Sequence, residues 1–169
     1  LPGLRQQGDA RLEHHAGDDM GFRVLGTNHT SFTVSSLDRS VGFFRDCLKF
    51  KLVSRAPRDP ALVQKITGVE GADMEIAFLK GPGHTVELIE YKAPANKGRV
   101  ESRPCDTGFA HLALNVDDAD AAVAEAALYQ VQAISAPVAI NAGPNKGRKV
   151  VYVRDWDGVT FEFIEAAAK

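Results

Sequence analysis

The amino-acid sequence predicts an α+β fold of two βαβββ modules that pair through a mixed β-sheet, with the helices on its outer face. Three observations predict it. The chain repeats itself at a nearly fixed offset, the repeated segments alternate in polarity like half-buried strands, and each is followed by a polar cap and an apolar stripe of helical spacing. His29-Thr-Ser-Phe-Thr-Val34 matches His111-Leu-Ala-Leu-Asn-Val116 at an offset of 82, and the match runs on from Asp38 and Val41 to Asp120 and Val123. Thr85-Val-Glu-Leu-Ile-Glu90 matches Thr160-Phe-Glu-Phe-Ile-Glu165 at an offset of 75.

In each opening strand the apolar parity is Thr30, Phe32, Val34 and Leu112, Leu114, Val116; the other parity is His29, Ser31, Thr33 and His111, Ala113, Asn115. Ser35 or Ser36, and Asp117 or Asp118, are placed to cap the helices that follow. The helical stripes are Leu37, Val41, Phe44, Leu48 and then Ala119, Val123, Ala126, Ala127, which should cover one face of the sheet. Further strands are expected at residues 51–54, 75–79 and 84–91, then at 131–135, 149–153 and 159–165. Lys80-Gly-Pro-Gly83 and Asp155-Trp-Asp-Gly158 supply their hairpin turns. An irregular or short helical insertion is expected between Pro57 and Gly71. The modules are bounded at residues 20–92 and 108–169, with a linker at 93–107 rich in Pro, Gly and charge. Residues 1–19 read as a loose leader or an expression remnant before a native start at Met20, so His14 and His15 carry no functional weight.

A chain of 169 residues, 44% hydrophobic and 25% charged, is long enough to bury a core. Its net charge of −2 makes no field for nucleic acid or a membrane surface, which leaves a small molecule as the expected partner. Cys47 and Cys105 fit no metal or redox spacing and predict no disulfide framework, hence a reducing, cytoplasmic setting. No apolar run approaches the roughly 20 residues that span a bilayer.

The repeated polar residues point to a metal. In Val86-Glu87-Leu88 and Phe161-Glu162-Phe163 the glutamate faces away from the apolar side, so each half presents one His and one Glu on the face its helix leaves open. Pairing the halves about a pseudo-twofold axis would unite His29, Glu87, His111 and Glu162, a ligand set for Zn, Ni, Co, Mn or ferrous iron. Glu90 and Glu165 repeat as well but lie at the other parity, and His84, with no counterpart, reads as a surface turn residue. Asn141 to Lys149, including Lys146 and Arg148, and the linker residues Lys97, Arg99 and Arg103 are basic segments that could clamp a carboxylate, a phosphate or a thioester-linked tail. Trp156 reads as a packing anchor.

Asn28-His29-Thr30, Ser36-Leu-Asp-Arg-Ser40 with Phe43-Phe44-Arg45-Asp46, Val86-Glu87-Leu88, Ala110-His111-Leu112-Ala113-Leu114 and Arg154-Asp155-Trp156-Asp157-Gly158 together resemble the vicinal oxygen chelate superfamily. That superfamily includes glyoxalase I, methylmalonyl-CoA epimerase, extradiol dioxygenases and the fosfomycin and bleomycin resistance proteins, and the resemblance runs over residues 24–166. It implies a cupped mixed β-sheet, a homodimer and, in the His, Glu, His, Glu order of glyoxalase I, a metal with exchangeable positions. A substrate with vicinal oxygens would then be enolised, with Glu162, or its counterpart Glu87, as the base. Thr33 and Tyr91 stand where glyoxalase I carries the Arg and Asn that help bind glutathione, and Glu87 where methylmalonyl-CoA epimerases have Gln. Tyr91 and Asn115 are candidate substrate contacts beside Lys146 and Arg148. The leading expectation is a metal-dependent lyase or isomerase. A sequestration protein of the bleomycin-resistance kind and an extradiol-type dioxygenase are the alternatives, and the sequence leaves open whether the cup closes within one chain or across two.

Overall fold

The computed structural model describes residues 21–166. The leader expected at residues 1–19, the start at Met20 and residues 167–169 of the second module lie outside the described residues. The first module runs β1 (Thr30–Thr33), α1 (Leu37–Gly42), β2 (Lys51–Pro57), α2 (Pro60–Thr67), β3 (Asp73–Gly81) and β4 (His84–Ala93). The second runs β5 (Leu112–Val116), α3 (Ala119–Leu128), β6 (Gln132–Ala133), β7 (Val138–Ala139), β8 (Lys149–Arg154) and β9 (Thr160–Glu165). The strand orders are β1-β4-β3-β2 and β5-β9-β8-β6, with β7 beside β8. In both, the first strand lies parallel to the last and the remaining neighbours are antiparallel. The expected plan is therefore present twice. β7 has no counterpart in it, because two residues are too few to carry a period.

The helix starts follow from local chemistry. Ser36 and Asp118 are the N-caps, and Asp118 Oδ1 accepts the Ala121 N–H at 2.9 Å. A second acceptor comes from the end of each module: Glu90 accepts the Leu37 N–H at 2.7 Å and Glu165 the Ala119 N–H at 3.0 Å. Both carboxylates lie at the helix-facing parity of their strands and satisfy N–H groups of the first turn that have no intrahelical partner. The insertion forms α2, with Asp59 as N-cap, Pro60 in the first turn and Gly68 ending it at φ +71°.

The stripe read as one helix from Leu37 to Leu48 divides. After α1 the chain continues as a π-helical turn, Phe43–Cys47, that buries two adjacent phenylalanines. Phe43 packs on Phe161 and Tyr129 (ring centroids 5.6 and 6.2 Å), and Phe44 on Phe161 and Phe50 (5.6 and 5.4 Å). Phe161 belongs to β9, so the first module's helix rests on the second module's sheet. Phe32 reaches the same ring at 5.9 Å, and a single apolar core joins the modules. At its rim the Arg39 guanidinium stacks 3.8 Å over Trp156 and Ser35 N–H donates to Asp157 at 2.8 Å, which gives Trp156 its anchoring role. Thus α1, the π-helical turn and α3 lie between the two sheets, whereas α2 rests on β3 with its buried Val63 outside that shared core.

Gly81 is needed for close approach: a Cβ there would sit 2.3 Å from Cζ of the buried Phe50 ring. Both cysteines are free, and burial, with the Glu125 charge adding, pushes the Cys47 thiol up to about 11. None of the helices among the described residues is long and apolar enough to cross a membrane.

Candidate metal centre

Register puts the same pairing of one histidine with one glutamate in each module. Ser31 lies opposite Glu87 and Ala113 opposite Glu162 in the parallel pairs. His29 and His111, two residues upstream of Ser31 and Ala113, therefore share the glutamate's face. His29 Nε2 is 3.2 Å from Glu87 Oε2, and His111 Nε2 is 3.1 Å from Glu162 Oε2. Exposure is matched too, with the histidine side chains at 31% and 30% and the glutamates at 14% and 18%, so both pairs are sheltered yet open to a ligand. His29 Nδ1 shares a 2.6 Å hydrogen bond with Asn28 Oδ1, which fixes the ring with Nε2 toward Glu87.

On the antiparallel neighbour strand an aromatic stands opposite each glutamate: Phe78 opposite Glu87 and Tyr152 opposite Glu162. Phe78 meets His29 edge-on at 5.5 Å, and Tyr152 lies 5.0 Å from His111, with Phe109 5.9 Å from that imidazole. Burial first, then the Glu162 charge, raises the Tyr152 phenol above its ordinary value. These aromatic walls escaped the reading of the sequence. The signal that could have found them is the alternation Val151-Tyr152-Val153, which puts the tyrosine on the glutamate's face.

The donors, one imidazole nitrogen and one carboxylate oxygen at nearly the same separation in each module, suit a divalent ion that accepts N and O ligands. Within one chain the two pairs do not meet. Among the described residues there is no cluster of three or more His, Cys, Asp or Glu able to hold a metal. The physical reason is the helical layer: it occupies the space between the sheets, so the faces carrying the pairs look away from each other.

Tyr91 follows Glu87 on the same face of β4 and is half-buried opposite Met74. Asn115 follows His111 on β5, exposed and opposite Ile164. Lys146 is exposed and Arg148 half-buried in the loop between β7 and β8, where Arg148 bonds Asn145 at 3.3 Å. Among the described residues neither basic side chain bonds to a His/Glu pair. His84, read as a surface turn residue, is instead half-buried at the start of β4 and shares a 2.9 Å hydrogen bond with Thr30.

A family model described as Glyoxalase/Bleomycin resistance protein/Dioxygenase superfamily matches residues 26–163. The chain is 33% identical over 151 residues to a 2-epi-5-epi-valiolone epimerase of Actinomyces sp, covering 86% of this chain and 81% of that protein. It is also 33% identical over 139 residues to a lactoylglutathione lyase of Haemophilus influenzae, covering 81% and 90%. Among solved structures, a glyoxalase family protein from Bacillus cereus superposes with a TM-score of 0.74 at 23% identity over 85% of this chain and 95% of that one. Glyoxalase I from Zea mays superposes at 0.59 and 23% identity, over 83% of this chain and 44% of the maize chain.

Proposed function

The chain belongs to the Glyoxalase/Bleomycin resistance protein/Dioxygenase superfamily, and from that premise we propose that it is a metal-dependent isomerase or lyase acting on a small substrate with adjacent oxygens. The observation that carries this reading is the pair of register-matched half-sites, His29 with Glu87 at 3.2 Å and His111 with Glu162 at 3.1 Å. These four side chains would hold a divalent ion, which when bound supplies Lewis-acid polarisation of the substrate's oxygens.

The protein's own part is proton transfer. Glu162 takes the proton from the carbon beside a carbonyl, and the C–H electron pair moves toward the carbonyl oxygen. For inversion, Glu162 keeps that proton and a second, protonated group delivers its own to the same carbon from the other side; for isomerisation, Glu162 hands the proton it took to the neighbouring carbon. Glu87, protonated at the start and contributed by the other copy, is that second group, and two carboxyls from separate chains suit inversion at carbon. The named epimerase among the relatives supports this reading, and Thr33 and Tyr91 favour a substrate other than a glutathione adduct.

The two half-sites join across two copies in this proposal. β1 and β5 are edge strands, each paired on one side only among the described residues. Adding β1 of one copy to β5 of another continues the sheet, removes two open edges and brings His29 and Glu87 of one copy to His111 and Glu162 of the next in a twofold dimer. Metal content of protein purified without added metal, compared with Glu87→Gln and Glu162→Gln, tests the ligand set. Each variant is expected to lose most of its metal, and unchanged content in both would sink the assignment.

A further inference from the structure

We infer that the cavity beneath the linker between the modules binds an oxyanion substituent of the substrate, a phosphate monoester or a carboxylate, on Arg154 and Arg99. The cavity holds about 480 Å³, and its walls include Arg99, Ser102, Arg103, Arg154 and Gly158. Arg154 lies opposite Thr160 in the same antiparallel pair that sets Tyr152 opposite Glu162, so it stands on the face of the His111 and Glu162 half-site. Two residues along a strand span roughly 7 Å. A substituent a few bonds from a carbon held at Glu162 therefore reaches this guanidinium.

The bonding of Arg154 leaves its charge unmatched. Nε donates to Thr160 Oγ1 and Nη2 to the Ser102 carbonyl, both at 3.2 Å, and among the described residues it makes no ion pair although it is half-buried. A guanidinium partly removed from water and met only by neutral oxygens favours an anion beside it. Arg99 joins from the linker with Nη2 on the Trp156 carbonyl at 2.6 Å, which leaves its other donors for a ligand. Of the acidic residues in the lining, Asp106 is engaged by Arg103 at 2.7 Å, and Glu101 is exposed. Gly158, at φ +86°, holds a turn conformation that other residues rarely adopt, and a Cβ there would make only ordinary contact, 3.8 Å from Arg99 Nη2 and the Val100 carbonyl. The same donors also staple the linker to the β8–β9 turn, a structural role that an anion would share rather than displace.

The inference rests on the proton-transfer reading for the idea that the anion belongs to a substrate; the cavity itself does not depend on it. Calorimetric titration of the metal-loaded full chain with dihydroxyacetone phosphate, dihydroxyacetone and inorganic phosphate tests it. Dihydroxyacetone phosphate is expected to bind about tenfold or more tightly than dihydroxyacetone. Arg154→Gln should erase that advantage, Arg99→Gln should reduce it about threefold, and Lys65→Gln on exposed α2 should leave it intact. Arg99→Gln keeps the test valid if Arg154→Gln melts early. An advantage that survives both arginine variants, or no advantage at all, overturns the inference. Arg154-dependent binding of inorganic phosphate as tight as that of dihydroxyacetone phosphate would mean a free-anion site and overturn the substrate assignment. Inorganic phosphate titrated into Glu87→Gln and Glu162→Gln separates the two readings: loss of metal there should leave phosphate binding intact, and failure of the cavity leaves metal content intact.

Discussion

The two half-sites differ in the aromatic residue opposite the glutamate. Phe78 and Tyr152 occupy equivalent places opposite Glu87 and Glu162, so the second pair has a phenol beside it where the first has a bare ring and, across the parallel pair, the Ser31 hydroxyl. Tyr152→Phe should therefore lower turnover about tenfold while metal content stays constant, a split between rate and loading that a purely structural role would not give. Asp155 gives a second prediction at this scale. Burial raises its carboxyl to about 6, although its Oδ1 accepts the Asp157 and Val159 N–H groups at 2.9 Å and those bonds pull the other way. Since the folded state holds this proton more firmly than the unfolded chain, with an ordinary value of 3.8, its stabilisation is fully present below that value and lost as pH rises through about 6. Asp155→Asn keeps the Oδ1 acceptor and cannot titrate. Urea midpoints at several pH values from 4 to 7 should show this part of the pH dependence flattened, while Asp155→Ala should cost about 2 kcal/mol by leaving buried N–H groups unpaired.

Elements were the most legible level, and where they were not the causes are specific. Alternation and turn glycines marked β1, β3, β4, β5, β8 and β9, because a sheet with one covered face writes its period into the chain. The π-helical turn was hidden, since Leu37, Val41, Phe44 and Leu48 satisfy an ordinary helical spacing and only packing against Phe161 shows why Phe43 must turn inward as well. Glu90 and Glu165 were visible as a repeat, but their work, holding α1 and α3 by the first N–H, needed coordinates. Glu90→Ala and Glu165→Ala are each expected to cost about 1 kcal/mol, and the Gln variants less, by thermal or urea melting. Burial alone would raise the Glu90 carboxyl, but Lys92 and the Leu37 N–H outweigh it and hold the group below its usual range. Its contribution is accordingly present at neutral pH and lost as the solution is made acidic enough to protonate it.

At the scale of the whole molecule the ligands could be named from the repeat, but their meeting place could not, because strand parity says which face a side chain takes and nothing of where the partner face lies. The helical layer between the sheets decides that within one chain. If the cup closes across two copies, a protein lacking His29 and Glu87 mixed with one lacking His111 and Glu162 should recover activity: the mixed dimer rebuilds one intact site from the surviving pairs, up to about half of the normal rate per dimer. No recovery after verified subunit exchange would argue for closure within the chain. The outward-looking faces carry a further consequence for descent. A protein whose every site draws on two polypeptides must keep both halves of its gene compatible with themselves, and joining two copies end to end would lift that constraint. Each of the two cups could then change on its own, one toward a new substrate while the other kept the old.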